Sequence, residues 1–145
     1  DSIILAVAGI KRLGVEIEYT PIDTEVMPSA AAQGALAVQI VASDSERAIA
    51  VKKIVKALNC SKALAEVTAE RAFLAFLDGS CRTPISASAV LDNAGNLTLD
   101  GMILRPDSTE SHRRKMSAPS DQAVNLGAAL GAELLSIAGG HDFLA

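Results

Sequence analysis

The sequence predicts an α/β protein whose C-terminal part is a self-contained α+β domain: a helix, a three-stranded antiparallel sheet and a second helix. Three observations carry this expectation. From Ser86 onward the apolar residues follow a period of two, in runs separated by a turn-forming pentapeptide. Helical periodicity flanks those runs on both sides. Ahead of residue 59, two continuous apolar runs read as strands buried on both faces, and the chain supplies no partner strands for them.

Ile3-Ile4-Leu5-Ala6-Val7-Ala8 is the first of these strands. Gly9-Ile10-Lys11-Arg12-Leu13-Gly14 follows as a short turn or helical piece, with Gly14 as its C-cap. Val15 to Ser29, broken by Pro21 and Pro28, reads as a surface connection, and Ala35 to Val41 is the second buried strand. Ser43-Asp44-Ser45-Glu46 has the capping-box form, with the hydroxyl at Ser43 and the carboxylate three residues on. Behind it Val51, Ile54, Val55 and Leu58 repeat at helical spacing and predict an amphipathic helix.

Asn59-Cys60-Ser61 can start the next helix, defined by Leu64, Val67, Leu74 and Leu77. Arg71 falls on or near its apolar face and would need a carboxylate or backbone partner there. Ser86–Leu91 and Leu97–Leu104 flank the hairpin turn Asp92-Asn93-Ala94-Gly95-Asn96. Arg105-Pro106-Asp107-Ser108 turns into a third strand, Thr109–Met116, polar enough for an edge. Pro119-Ser120-Asp121 starts the final helix, with a stripe of Leu126, Leu130, Leu134 and Ile137 and a close at Gly139-Gly140. Gly127 and Gly131 beside that stripe predict close helix–sheet packing.

At 145 residues the chain can bury roughly two-thirds of its unfolded surface. Half its residues are hydrophobic but only 3% are aromatic, so its core must be built from Ala, Val, Ile and Leu. A net charge of −4 argues against nonspecific nucleic-acid binding. The two cysteines and two histidines form no cluster, so no metal site is expected. No charged-then-apolar leader opens the chain, which predicts a cytoplasmic location. The uncharged run from Met27 to Ser43 is interrupted by Pro28, Gln33 and Gln39 and reads as loop and strand, not as a membrane span. An opening at Asp1-Ser2-Ile3, without Met, reads as a fragment of a longer protein.

Cys81 is the leading candidate for chemistry. It stands in a Gly-containing turn just past a helix, in Phe76-Leu77-Asp78-Gly79-Ser80-Cys81-Arg82-Thr83-Pro84-Ile85. A thiol there could form a permanent carbon–sulfur bond, or simply fill a loop as an inert small residue. Arg82 favours the thiolate and the carbonyl end of the preceding helix opposes it. Gly9 and Arg12 lie where open α/β sheets place ligand-binding turns, and Arg12 could hold a carboxylate through two hydrogen bonds; a solvated basic turn is the plain alternative. Ala32-Gln33-Gly34-Ala35 is a small-residue loop that could bring backbone N–H groups to a ligand. His112-Arg113-Arg114-Lys115 reads as a solvated edge that discourages sheet aggregation. His141-Asp142, at the terminus, is assigned nothing.

Taken together, several segments resemble porphobilinogen deaminase, also called hydroxymethylbilane synthase. They are Ile4 to Gly14, Gln33-Gly34-Ala35-Leu36, Ala57-Leu58-Asn59, Ala69-Glu70-Arg71-Ala72-Phe73-Leu74 and Leu77 to Ile85, in the family's order and approximate spacing. The resemblance implies a transferase that condenses four porphobilinogen units head to tail, with release of ammonia, for tetrapyrrole and heme biosynthesis. It implies a dipyrromethane cofactor in thioether linkage to Cys81, with Arg12 binding pyrrole carboxylates and Gly9 in the same turn. It also implies three domains, the first two like periplasmic binding proteins: 1–34 ending the second, 35–58 returning to the first, and 59–145 forming the third. The family's catalytic aspartate would lie upstream, so no residue here takes its role and this chain alone is expected to be inactive without its N-terminal half.

The sequence departs from the family pattern at Ala32 and Ser80, each in place of a glycine, at Ser86, also in place of a glycine, and at Gln39 and Val41. A noncatalytic pyrrole- or anion-binding relative and a structural α+β interaction domain are the alternatives. No nucleic acid or membrane is expected as a partner.

Overall fold

The computed structural model describes every residue except Asp1 and Cys81. Its elements are α1 (Val7–Leu13), α2 (Glu46–Lys56), α3 (Ser61–Phe76), β1 (Ile85–Leu91), β2 (Asn96–Leu104), β3 (Ser111–Pro119) and α4 (Ala123–Ala138), with 3-10 turns at Ser120–Gln122 and His141–Leu144. The three strands form one antiparallel sheet in the order β1-β2-β3. Helices α3 and α4 cover one of its faces, giving the expected α+β unit.

Period-two alternation decides which face is covered. Ala87 and Ala89 of β1 and Leu97, Leu99 and Ile103 of β2 point into the core, where Ala89 pairs with Leu99 and Leu97 with Ala118. Phe73 from α3 and Leu126, Leu130 and Leu134 from α4 close over them, so the core is not purely aliphatic as the composition predicts: Phe73 and Phe143 are both buried in it. The β1–β2 hairpin turns where expected: Asp92 Oδ1 accepts the N–H groups of Ala94 and Asn96 at 2.9 and 2.8 Å, and Gly95 takes a left-handed φ of 88°. Strand β3 is an edge, as expected, but begins at Ser111. Residues 105–110 form a turn, in which Arg105 N–H reaches the Glu110 carbonyl and Asp107 accepts both the N–H and hydroxyl of Thr109.

Four further details differ from the sequence reading. The cap of α2 is Ser45, whose hydroxyl accepts the Ala48 N–H at 3.3 Å, while Ser43 instead accepts the N–H of Ser45. In α3 the buried face is Ala69, Glu70 and Phe73, and Arg71 points to solvent and needs no interior partner. Ile137 is exposed at the end of the α4 stripe. Gly127 and Gly131 serve a helix pair, not a helix–sheet contact. A side chain on Gly127 would meet the Ala69 carbonyl and Phe73 N–H of α3, and one on Gly131 would meet the Phe76 ring. It is Gly101 of β2 that admits helix side chains, those of Leu130 and Phe73, against the sheet.

The first 58 residues differ most. Residues 35–41 take no regular structure, and the run from Ile3 is irregular up to Ala6 and helical from Val7. Ile3, Leu36, Val38 and Val41 are exposed, as are Ile54 and Leu58 on the apolar stripe of α2. The physical reason is the lack of partners: a strand made to be covered on both faces gains little from its apolar side chains alone.

Candidate functional site

The loop between α3 and β1 is held by its own side chains and by β2. Asp78 takes a left-handed φ of 51° directly after the helix. At Gly79 a Cβ would lie 2.6 Å from Leu74 Cδ1 and 2.7 Å from Ile85 Cδ1, so the turn packs closely against these two side chains, which a larger residue would have to displace. The Ser80 N–H donates to Thr83 Oγ1 at 3.0 Å, the Arg82 N–H donates to Ser80 Oγ at 3.2 Å, and the Thr83 N–H donates to the Ser80 carbonyl at 3.1 Å. Leu104 of β2 donates its N–H to the Pro84 carbonyl at 3.0 Å. Both flanks of position 81 are therefore fixed to the domain. Cys81 itself lies outside the described residues; Cys60, just before α3, is a free and exposed thiol.

A second segment, residues 29–34, lies as a strap along the outer edge of β1. The Ala87 N–H donates to the Ser29 carbonyl at 3.1 Å. Glu70 of α3 accepts the Ala89 N–H on Oε1 at 2.8 Å and the Ala32 N–H on Oε2 at 2.7 Å. Glu66, one turn earlier, accepts the Leu91 N–H at 3.0 Å. The outward N–H groups of Ala87, Ala89 and Leu91 are thus all satisfied, which closes an edge that would otherwise offer itself to another strand. Neither glutamate was singled out by periodicity or motif chemistry. The usable signal is two carboxylates four residues apart on a helix that packs beside an edge strand.

Ala32 holds φ at 59°, a left-handed conformation that glycine adopts without strain. Between strap and loop lies a cavity of about 600 Å³ whose lining includes Met27, Gln33, Ser80, Thr83, Ser86 and Met102. The hydroxyl of Ser86 is buried beside it without a hydrogen-bond partner.

The remaining candidates stand apart from this arrangement. Gly9 lies inside α1, not in a turn, and a Cβ there would meet nothing. Arg12 is exposed in the last turn of α1 and, among the described residues, makes no ion pair. Arg113 and Lys115 are not simply solvated. Arg113 makes a two-pronged bond to Asp100, through Nε at 2.9 Å and Nη2 at 2.7 Å, and Lys115 bonds to Glu25 at 2.9 Å. The Arg113 hydrogen bonds, with help from Lys115, hold the Asp100 carboxyl below the usual aspartate range against the opposing effect of burial. Among the described residues no group of three or more His, Cys, Asp or Glu side chains is placed to hold a metal, and no helix is long and apolar enough to cross a membrane.

Two family models match the chain. Residues 64–136 match "Porphobilinogen deaminase, C-terminal domain". Residues 1–49 match "Porphobilinogen deaminase, dipyromethane cofactor binding domain". The chain belongs to the porphobilinogen deaminase family. Relatives named porphobilinogen deaminase include that of Roseiflexus castenholzii, 41% identical over 100% of this chain and 46% of the relative. The protein of Sorangium cellulosum is 40% identical over 92% of this chain and 45% of its own length. A "probable porphobilinogen deaminase" of Hyperthermus butylicus is 36% identical over 95% of this chain and 44% of its own length. The chain therefore spans less than half the length of these relatives.

The C-terminal model covers most of α3, the Cys81 loop, the sheet and most of α4, and the cofactor-domain model covers Gly9, Arg12 and the strap. The chemistry present suits a polycarboxylate pyrrole group in kind. The chain carries one cysteine in a loop with fixed flanks, exposed guanidinium groups on Arg12 and Arg82, and a cavity beside the loop edged by Ser80 and Thr83 hydroxyls.

Proposed function

We propose that this chain is the C-terminal portion of a hydroxymethylbilane synthase, with Cys81 as the covalent anchor of dipyrromethane. The observation that carries the reading is that the family match spans a loop with a single cysteine, whose flanking residues are locked to α3 and β2. When bound, the group supplies the tethered pyrrole end onto which four porphobilinogen units are joined head to tail with loss of ammonia. Cys81 holds it through a thioether, a bond that needs no redox change and resists exchange with other thiols. The Ser80–Thr83 hydrogen bonds hold the residues on either side of that cysteine. Arg12 pairs with an acetate or propionate carboxylate of a pyrrole unit, in the segment with Gly9, because a guanidinium stays charged and matches both carboxylate oxygens.

The acid–base group is assigned to the N-terminal half of the same protein, which also supplies strands to pair with the apolar runs at 3–8 and 35–41. On this reading the protein works in the cytoplasm on porphobilinogen. The test is to give porphobilinogen to the full-length protein and to its Cys81→Ala and Arg12→Leu variants, and to follow ammonia and bilane. The reading expects no bilane from Cys81→Ala and a raised KM in Arg12→Leu. Reversible binding of porphobilinogen by the wild-type protein without ammonia release would replace it with a noncatalytic pyrrole-binding role.

A further inference from the structure

Glu70 joins three segments that are far apart in sequence. It lies on α3, whose C-terminal end leads into the Cys81 loop; it binds β1, which leads out of that loop; and it binds the strap at Ala32. Its side chain is buried, and each carboxylate oxygen accepts one backbone N–H, at 2.8 and 2.7 Å. The two carboxyl oxygens supply two acceptors at that spacing, whereas an amide would turn a donor toward one of the two N–H groups. The strap has one further backbone bond to this edge, from Ala87 to Ser29. At Ala32 it holds a left-handed conformation that an alanine leaves readily once released.

We infer that Glu70 is a positioning residue: it pins the 29–34 strap, and through it the residues that precede it, at a fixed register against the domain that carries Cys81. In this role it acts through the strap and not on the substrate. Its effect is to fix where the Cys81 loop stands relative to the segment matched by the cofactor-domain model. That consequence for turnover rests on the function proposed above; the pin itself does not.

The test uses the full-length protein with Glu70→Gln, with Glu70→Asp, whose carboxylate is one methylene shorter and cannot reach both N–H groups, and with Glu66→Gln as a control. Amide hydrogen exchange should rise about ten-fold over residues 30–35 in both pin variants, as expected for loss of one bond to a charged acceptor. The control should change exchange only near Leu91. With dipyrromethane still attached, as read by intact mass, kcat should fall about ten-fold in both pin variants at a temperature far below their melting points. A merely stabilising glutamate would lower the melting point and leave kcat alone. Unchanged exchange over 30–35 in both variants overturns the pin, and faster exchange with wild-type kcat overturns its positioning role. A wild-type protein with neither dipyrromethane nor turnover defeats the functional reading, and the exchange result then still decides the pin. If Glu70→Gln fails to fold, Glu70→Asp carries the same comparison.

Discussion

Gly127 of α4 rests directly against the backbone of Ala69 in α3, leaving no room for a side chain between them. This contact sets the distance between the two helices that roof the sheet, and so fixes the helix from which the Cys81 loop departs. Gly127→Ala should destabilise the domain by about 3 kcal/mol, because the obstructing atoms are backbone and cannot rotate away. Gly131→Ala should cost clearly less, since its obstruction is the half-exposed Phe76 ring, which can swing outward. Urea unfolding of the two variants checks the order. Equal losses would contradict the asymmetry of this helix pair.

Ala32→Gly should relieve the left-handed backbone of the strap. The gain from lifting the Cβ clash, offset by the greater freedom glycine has when released, leaves a net stabilisation of up to about 1 kcal/mol. It should appear as slower amide exchange over residues 30–35, with the α4 core unchanged. Faster exchange in the glycine variant would mean that the strap does not hold this conformation in solution.

The helix–sheet–helix part was legible because each of its segments buries its apolar residues against the others. The alternation at Ala87, Ala89, Leu97 and Leu99 points to a single covered face, and that face is the one α3 and α4 cover. The runs at 3–8 and 35–41 were not legible as structure in this chain, because burial on both faces is a property of partners as much as of the strand. Two serines competed for one cap, and local geometry chose Ser45 over Ser43. Glu70 was hidden for a different reason. A carboxylate in a helix reads as a solvent-facing residue, and only the neighbouring strand edge and strap show that two N–H groups await it. In the candidate site, the loop with Cys81 was visible from its glycine and its family pattern; the strap that borders it was not.

Ser86→Ala removes a buried hydroxyl that has no partner. The expected result is no loss of stability, or a gain of up to about 1 kcal/mol, because an unpaired polar atom contributes nothing to offset its lost hydration. Thermal or urea unfolding reads it. A loss above about 1 kcal/mol would show that the hydroxyl is hydrogen-bonded in solution, by water or by a ligand in the cavity it borders.

The Asp100 carboxyl lies below its ordinary range, chiefly through the Arg113 hydrogen bonds. The folded protein therefore releases this proton more readily than the unfolded chain, and stability rises with pH across the interval between the two values. The contribution is complete above the unfolded aspartate value of about 3.9 and is lost as pH falls through the depressed folded value. Asp92 and Asp107 are depressed as well, so they add a common slope. The urea midpoint of wild type should accordingly fall more steeply below about pH 4 than that of Asp100→Asn. Parallel curves would contradict the ion-pair assignment.

The most direct measurement of the central claim is the intact mass of the full-length protein beside its Cys81→Ser variant. The account predicts a wild-type mass raised by one covalent dipyrromethane, absent from Cys81→Ser, with a positive Ehrlich colour reaction in the wild type only. A wild-type protein with unmodified Cys81 that still makes bilane at the normal rate would contradict it.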